Sequence, residues 1–159
     1  LMPPTYGMYA VLANINGVGI KEIPLTADFQ LKTDEILAAV DPNTKAIFFC
    51  SPNNPSGNLF KSSDIEALLN GFDGLVVIDE AYIDFTEVPS WLSDLENYPN
   101  LVVTQTLSKA FGLAGLRLGI AIAQPNIIKL LHNIKPPYNI NTMGVFILTR
   151  SLKSLVLNR

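Results

Sequence analysis

Three apolar runs punctuate the chain: Ala46-Ile47-Phe48-Phe49-Cys50, Leu75-Val76-Val77-Ile78 and Leu101-Val102-Val103. Their near-continuous apolar character predicts strands buried on both faces rather than on one. Each runs into a polar cluster: Ser51 to Gly57, Asp79 to Tyr82, and Thr104 to Lys109. Helical patterns lie between and around them. Tyr6 to Asn14 is apolar-rich and follows two prolines, as a helix start often does. Thr33 is placed to cap a second helix, in which Ile36, Leu37 and Val40 share a face and Asp41-Pro42-Asn43 forms the stop. Ser62 or Ser63 is placed to cap a third helix through Leu69, with Asp64 and Glu66 near its positive end. Ile20 to Leu25 alternates as a short strand should, and Leu116 to Ala123 is a further strand candidate. Two helices, about Pro125 to Ile134 and Met143 to Leu155, complete the pattern.

Strands separated by helices predict an α/β fold, a three-layer sandwich with a mainly parallel central sheet. A length of 159 residues suits one domain spanning the whole chain. The polar clusters follow the C-terminal ends of the three apolar strands, the edge at which open α/β sheets bind ligands. Their position therefore points to a site before any residue chemistry is considered.

Composition narrows the partners. Hydrophobic residues make up 48% and charged residues 16%, the balance of a folded globular body. The net charge of -3, with basic residues scattered among acidic ones, leaves no basic patch for nucleic acid. Cys50 is the single cysteine, so an internal disulfide is excluded. A reducing, cytoplasmic setting is expected, with Cys50 as a core thiol. The longest apolar stretches fall short of the roughly 20 residues a membrane span needs. Leu1-Met2-Pro3-Pro4 lacks the basic-then-apolar order of a signal peptide and reads as the middle of something.

The candidate chemistry gathers in the polar clusters. Lys109 follows a strand end and the hydroxyl residues Thr106 and Ser108, with Gly112, Gly115 and Gly119 downstream. Those hydroxyls and a close-approaching backbone are suited to phosphate oxygens. Arg117 adds a guanidinium that can grip a phosphate with two parallel bonds. A lysine acting as a nucleophile must be neutral, which requires desolvation or neighbouring positive charge. Asp79 reads as a helix cap, a metal ligand with Glu80, or a counterion to a protonated ring nitrogen. The metal reading echoes a Walker B strand, but the chain has no phosphate loop of the G-x-x-x-x-G-K-[ST] type. Tyr82 offers a phenol three residues on. Asn54 reads as a turn residue or as an amide donor to a ring hydroxyl, and Tyr6 as packing or as a ring stacked on a planar ligand. Tyr138-Asn139 reads as a structural loop or as a border of the substrate site, with the loop favoured, and His132 as a helix residue with no paired base.

Taken together, Pro3-Pro4-Thr5-Tyr6, Ser51-Pro52-Asn53-Asn54-Pro55-Ser56-Gly57, Asp79-Glu80-Ala81-Tyr82 and Ser108-Lys109-Ala110-Phe111-Gly112-Leu113-Ala114-Gly115-Leu116-Arg117 resemble the fold-type I aminotransferases. Within them, the histidinol-phosphate aminotransferase family is the nearest match, and the resemblance covers nearly the whole chain. It implies the large domain of a pyridoxal 5'-phosphate (PLP) enzyme. In such a domain Lys109 would form the Schiff base and move a proton at the substrate α-carbon. The resemblance further implies that Asp79 pairs with the pyridine nitrogen and that Asn54 and Tyr82 reach the ring oxygen. Thr106, Ser108 and Arg117 would bind the phosphate, and Tyr6 would lie against the ring face. The implied substrates are a phosphorylated amine, L-histidinol phosphate, and a 2-oxo acid, 2-oxoglutarate. The implied partner is a second copy in a homodimer.

The family's N-terminal arm, its upstream phosphate loop and its C-terminal small domain have no counterpart in these 159 residues. The chain therefore resembles a central large domain cut at both ends, with little or no activity expected of it alone. Other functions stand beside this one. Threonine-phosphate decarboxylase, or another class I/II aminotransferase, shares the motifs, and a silent segment that only folds or associates would also carry them.

Overall fold

The computed structural model describes residues 1–157, with side chains described through Thr149. Its centre is a four-stranded sheet in the order β1 (Ala46–Cys50), β2 (Leu75–Asp79), β3 (Leu101–Thr106), β4 (Gly119–Ala123). The first three strands run parallel and β4 is antiparallel to β3. Five α-helices accompany it: α1 (Met8–Ile15), α2 (Thr33–Ala38), α3 (Ser62–Gly71), α4 (Pro125–Ile134) and α5 (Thr142–Leu157). This is the predicted α/β arrangement with a mainly parallel sheet.

The apolar strands are continuous because both faces are covered. Ile47, Phe49, Val76, Ile78, Leu101 and Val103 join one core with Ile36 of α2 and Ile65, Leu68 and Leu69 of α3. The intervening residues Val77 and Val102 join a second core with Ala123 and Ile127 of α4, against which Phe48 packs. Side chains at alternate strand positions thus feed opposite layers. Burial of each large aliphatic side chain stabilises this sandwich by roughly 1.5–3 kcal/mol.

Several boundaries differ from the sequence pattern. Helix α1 begins at Met8 rather than Tyr6, and Tyr6 stays in the preceding loop. The Ile20–Leu25 segment is not a strand; it is extended and held by three bonds, the Leu1 amine to Lys21 O, Ile23 N–H to Leu1 O and Leu25 N–H to Pro3 O. Pro3 and Pro4 have no N–H with which to continue the pairing. Lys32 and Lys61, not Thr33 and Ser62 or Ser63, occupy the N-cap positions of α2 and α3, and neither helix has a side-chain cap. The Thr33 hydroxyl is buried without a hydrogen-bond partner. β3 extends through Thr106 because Thr104, Gln105 and Thr106 pair with Ala121, Ile120 and Gly119. The strand predicted from Leu116 starts only at Gly119, since Ala114–Leu116 form one 3₁₀ turn and Arg117 takes a left-handed φ of 52°. By contrast, α4 has the predicted bounds, with its proline in the first turn.

Candidate active site

Strand register sets the frame. Cys50 pairs with Asp79 and Asp79 with Thr104, so the ends of three parallel strands lie side by side. The loops leaving those ends carry Asn54, Tyr82 and Lys109 to one edge of the sheet. Asn54, Asp79, Tyr82 and Lys109 line a cavity of about 340 Å³. Tyr6 borders it from the loop before α1, and Thr106, Ser108 and Arg117 border it from β3 and its following turn. All eight residues singled out in the sequence therefore meet at one place, although they span 111 positions between Tyr6 and Arg117.

Within the cavity, Asn54 Nδ2 donates to the Tyr82 hydroxyl at 3.3 Å. The Lys109 amine stands 5.2 Å from the centre of the Tyr82 ring. Asp79 Oδ1 accepts the Ala81 N–H at 3.1 Å, and its Oδ2 accepts the Tyr9 hydroxyl at 2.6 Å. The Thr106 hydroxyl accepts the Ser108 N–H at 3.1 Å and donates to Leu118 O at 3.3 Å, bracing the turn that carries Lys109. Arg117 gives one guanidinium bond to Ala114 O at 3.1 Å. Asn141 Nδ2 donates to Leu116 O at 2.7 Å, which ties the start of α5 to the residue before Arg117. Tyr6 is 46% exposed, its ring edge-on to Tyr9 at 5.5 Å.

Buried neighbours fix the loops. Asn53, 2% exposed, donates to Pro4 O at 3.0 Å and Ser56 Oγ at 2.6 Å and accepts the Thr5 hydroxyl at 3.2 Å. It thereby stitches the Tyr6 loop to the Asn54 loop, and Gly57, at a φ of 74°, closes that turn with a bond to Asn53 O. Glu80, 1% exposed, accepts from Ser90 Oγ at 2.5 Å, Trp91 N at 2.8 Å and Gln105 Nε2 at 2.9 Å. Its carboxylate is engaged by these three bonds, and Glu80 does not line the cavity with Asp79. Among the described residues no cluster of three His, Cys, Asp or Glu can hold a metal ion. Cys50 is a core thiol as expected: burial first, then the Asp79 carboxylate, push it up to about 11. The sequence reading passed over Tyr9, Asn53 and Gln105. None of the three left a signal in its local sequence.

The residues present suit PLP. Among the described residues the Arg117 guanidinium at the cavity has no ion-pair partner. An anionic group such as a phosphate would balance it. A carboxylate on one wall and an amide–phenol pair on another supply the complement of a protonated ring nitrogen and a ring oxygen. One amine remains for an aldehyde.

Solved structures share this fold. The histidinol-phosphate aminotransferase of Clostridium acetobutylicum superimposes with a TM-score of 0.82 at 27% identity, over 88% of this chain and 43% of that one. The L-threonine-O-3-phosphate decarboxylase of Porphyromonas gingivalis gives 0.75 at 26% identity, over 91% and 43%. The fold is that of the large domain of PLP-dependent transferases. The family pattern for aminotransferase class I and II matches residues 1–155, and the chain belongs to that family. PLP is the cofactor of this family.

Curated relatives are nearer in sequence. The histidinol-phosphate aminotransferase of Flavobacterium johnsoniae is 63% identical over 142 residues, which is 89% of this chain and 41% of the relative. That of Flavobacterium psychrophilum is 55% identical over 157 residues, 99% of this chain and 45% of the relative. The chain thus spans less than half the length of the curated relatives it matches.

Proposed function

We propose that residues 1–159 are the PLP-binding large domain of a histidinol-phosphate aminotransferase, which exchanges an amino group between L-histidinol phosphate and 2-oxoglutarate. The observation that carries this reading is the convergence of Lys109, Asp79, Asn54, Tyr82 and Arg117 on one cavity at the C-terminal edge of the sheet. Identity of 63% and 55% to two enzymes of that name supports the substrate pair.

When bound, PLP supplies an aldehyde that takes up the substrate amine and a ring that accepts the electrons released at the substrate α-carbon. The chain's own groups do the holding and the proton work. Lys109 Nζ would hold the cofactor at its aldehyde carbon and, once freed, would carry the proton between the substrate α-carbon and that same carbon. Asp79 pairs with the ring nitrogen and keeps it protonated. Asn54 and Tyr82, already bonded to each other, donate to the ring oxygen. Arg117 and the Thr106 and Ser108 hydroxyls bind the phosphate, and Tyr6 covers one ring face. A homodimer in the cytoplasm is the proposed setting; the unpaired, buried Cys50 supports a reducing compartment. With less than half of a relative's length present, the segment alone is expected to turn over little or no substrate.

Borohydride reduction in the presence of PLP tests the reading. A covalent adduct on Lys109, absent from Lys109→Ala, is expected, and full-length protein carrying Lys109→Ala should lose turnover while retaining non-covalent PLP. A folded protein that forms no adduct would favour the silent-segment reading. The likeness to the Porphyromonas gingivalis decarboxylase motivates one rival activity, beside that of another class I or II aminotransferase. Release of carbon dioxide from threonine phosphate, without amine exchange to 2-oxoglutarate, would select it.

A further inference from the structure

We infer that Tyr9 is a positioning residue for the cofactor: its hydroxyl sets the orientation of the Asp79 carboxylate, and its ring links that carboxylate to Tyr6. The inference rests on the PLP reading and names a residue that the sequence motifs pass over.

Two donors reach Asp79, one on each carboxylate oxygen. Tyr9 reaches Oδ2 at 2.6 Å across 70 residues of sequence, and Ala81 N–H reaches Oδ1 at 3.1 Å. With one donor on each oxygen, the carboxylate plane cannot turn without breaking a bond. Each carboxylate oxygen can accept more than one donor, so the pair still has capacity for a group entering the cavity.

The phenol is itself held. Its ring packs on Phe48 of β1 at 4.6 Å and meets Tyr6 edge-on at 5.5 Å and 85°. Tyr6, Tyr9 and Asp79 all line the same cavity. Tyr9 therefore joins the residue proposed for the ring face to the residue proposed for the ring nitrogen. Burial, followed by the Asp79 hydrogen bond and charge, raises the Tyr9 phenol far above its ordinary value. It thus remains a donor throughout the neutral range and does not become an anion that repels Asp79.

A double-mutant cycle on the full-length protein that contains this chain tests the inference. PLP dissociation constants are measured by absorbance titration for the parent, Tyr9→Phe, Asp79→Asn and the double variant. Tyr9→Phe keeps the ring that packs on Phe48 and removes only the hydroxyl. It should weaken PLP binding about threefold to tenfold in the parent and less than twofold in the Asp79→Asn background, because its effect passes through that carboxylate. A packing role would give the same loss in both backgrounds and would overturn the inference. The ¹⁵N resonance of ring-labelled PLP supplies a second measurement: Tyr9→Phe should move it toward the unprotonated position, and an unchanged resonance with unchanged affinity would also overturn it. A parent that forms no reducible adduct on Lys109 would remove the PLP reading and this inference together. A parent that does, beside a Tyr9→Phe variant that matches it, would remove the inference alone.

Discussion

Glu80→Ala should destabilise the protein by about 3 kcal/mol, although Glu80 is assigned no contact with cofactor or substrate. Glu80 is 1% exposed, and its carboxylate accepts three bonds, from Ser90 Oγ, Trp91 N–H and Gln105 Nε2. A hydrogen bond to a charged acceptor contributes roughly 1.5–3 kcal/mol, and a buried donor left unpaired costs roughly 1–3 kcal/mol. The losses do not sum in full, because Ser90, Trp91 and Gln105 are each half-buried and can partly turn to water. The backbone N–H of Trp91 is the donor least able to move, which is why the estimate stays near 3 kcal/mol rather than approaching zero.

Glu80→Gln separates hydrogen bonding from mere volume. The amide keeps one acceptor for Trp91 N–H, the Ser90 hydroxyl can rotate to donate or accept, and the Gln105 amide can flip. A loss of about 1 kcal/mol is expected. For a protein of this size these values correspond to midpoint shifts of about 6–12 °C for alanine and about 2–4 °C for glutamine. Thermal and urea unfolding of the cofactor-free protein measure both without reference to catalysis. An alanine variant that loses less than 1 kcal/mol, or a glutamine variant as unstable as alanine, would refute the reasoning.

Two further outcomes follow from named contacts. Asp79→Asn in the full-length protein should lower kcat by about 10²-fold or more while Lys109 still forms a borohydride-trapped adduct; a variant retaining most of its rate would disprove the ring-nitrogen role. At the surface, the Lys21 amine at 2.7 Å, with help from the Thr44 hydroxyl, holds the Asp41 carboxyl down to about 2. The folded state binds this proton more weakly than the unfolded chain, so the contribution is complete above about pH 4 and fades as pH falls through about 2. Asp41→Asn should therefore make the decline of Tm between those values shallower in calorimetry, and superimposable profiles would contradict the assignment.

The exposed rim around this core is uneven. Tyr138 is 95% exposed in the turn after α4, and His132 lies on the exposed part of α4, so neither reaches the cavity. That agrees with reading them as loop and helix residues. Among the described residues no helix is long and apolar enough to cross a membrane.

Much of the architecture was legible in one dimension. Runs such as Ile47-Phe48-Phe49 and Val76-Val77-Ile78 could be apolar throughout only if both faces of each strand were covered, and two cores on opposite faces are what the sheet has. The candidate site was legible for a related reason. Loops leaving parallel strand ends emerge on one edge, so the polar residues following each apolar run had to become neighbours. Helix starts were less readable. A serine or threonine near a helix start fits the cap position or the first turn equally well in sequence, and the backbone path placed Lys32 and Lys61 at the caps instead.

Tertiary structure alone decided the contacts between distant segments. Nothing local to Tyr9 signals a partner 70 residues away, and Asn53 looks like any turn asparagine until Pro4 and Thr5 arrive beside it. Likewise, Gln105 joins a strand only because β4 folds back antiparallel to extend β3. Periodicity along a chain records which faces are buried, because burial acts on every residue of an element. A hydrogen bond between two side chains depends on the placement of two elements at once, and it leaves no periodic trace in either.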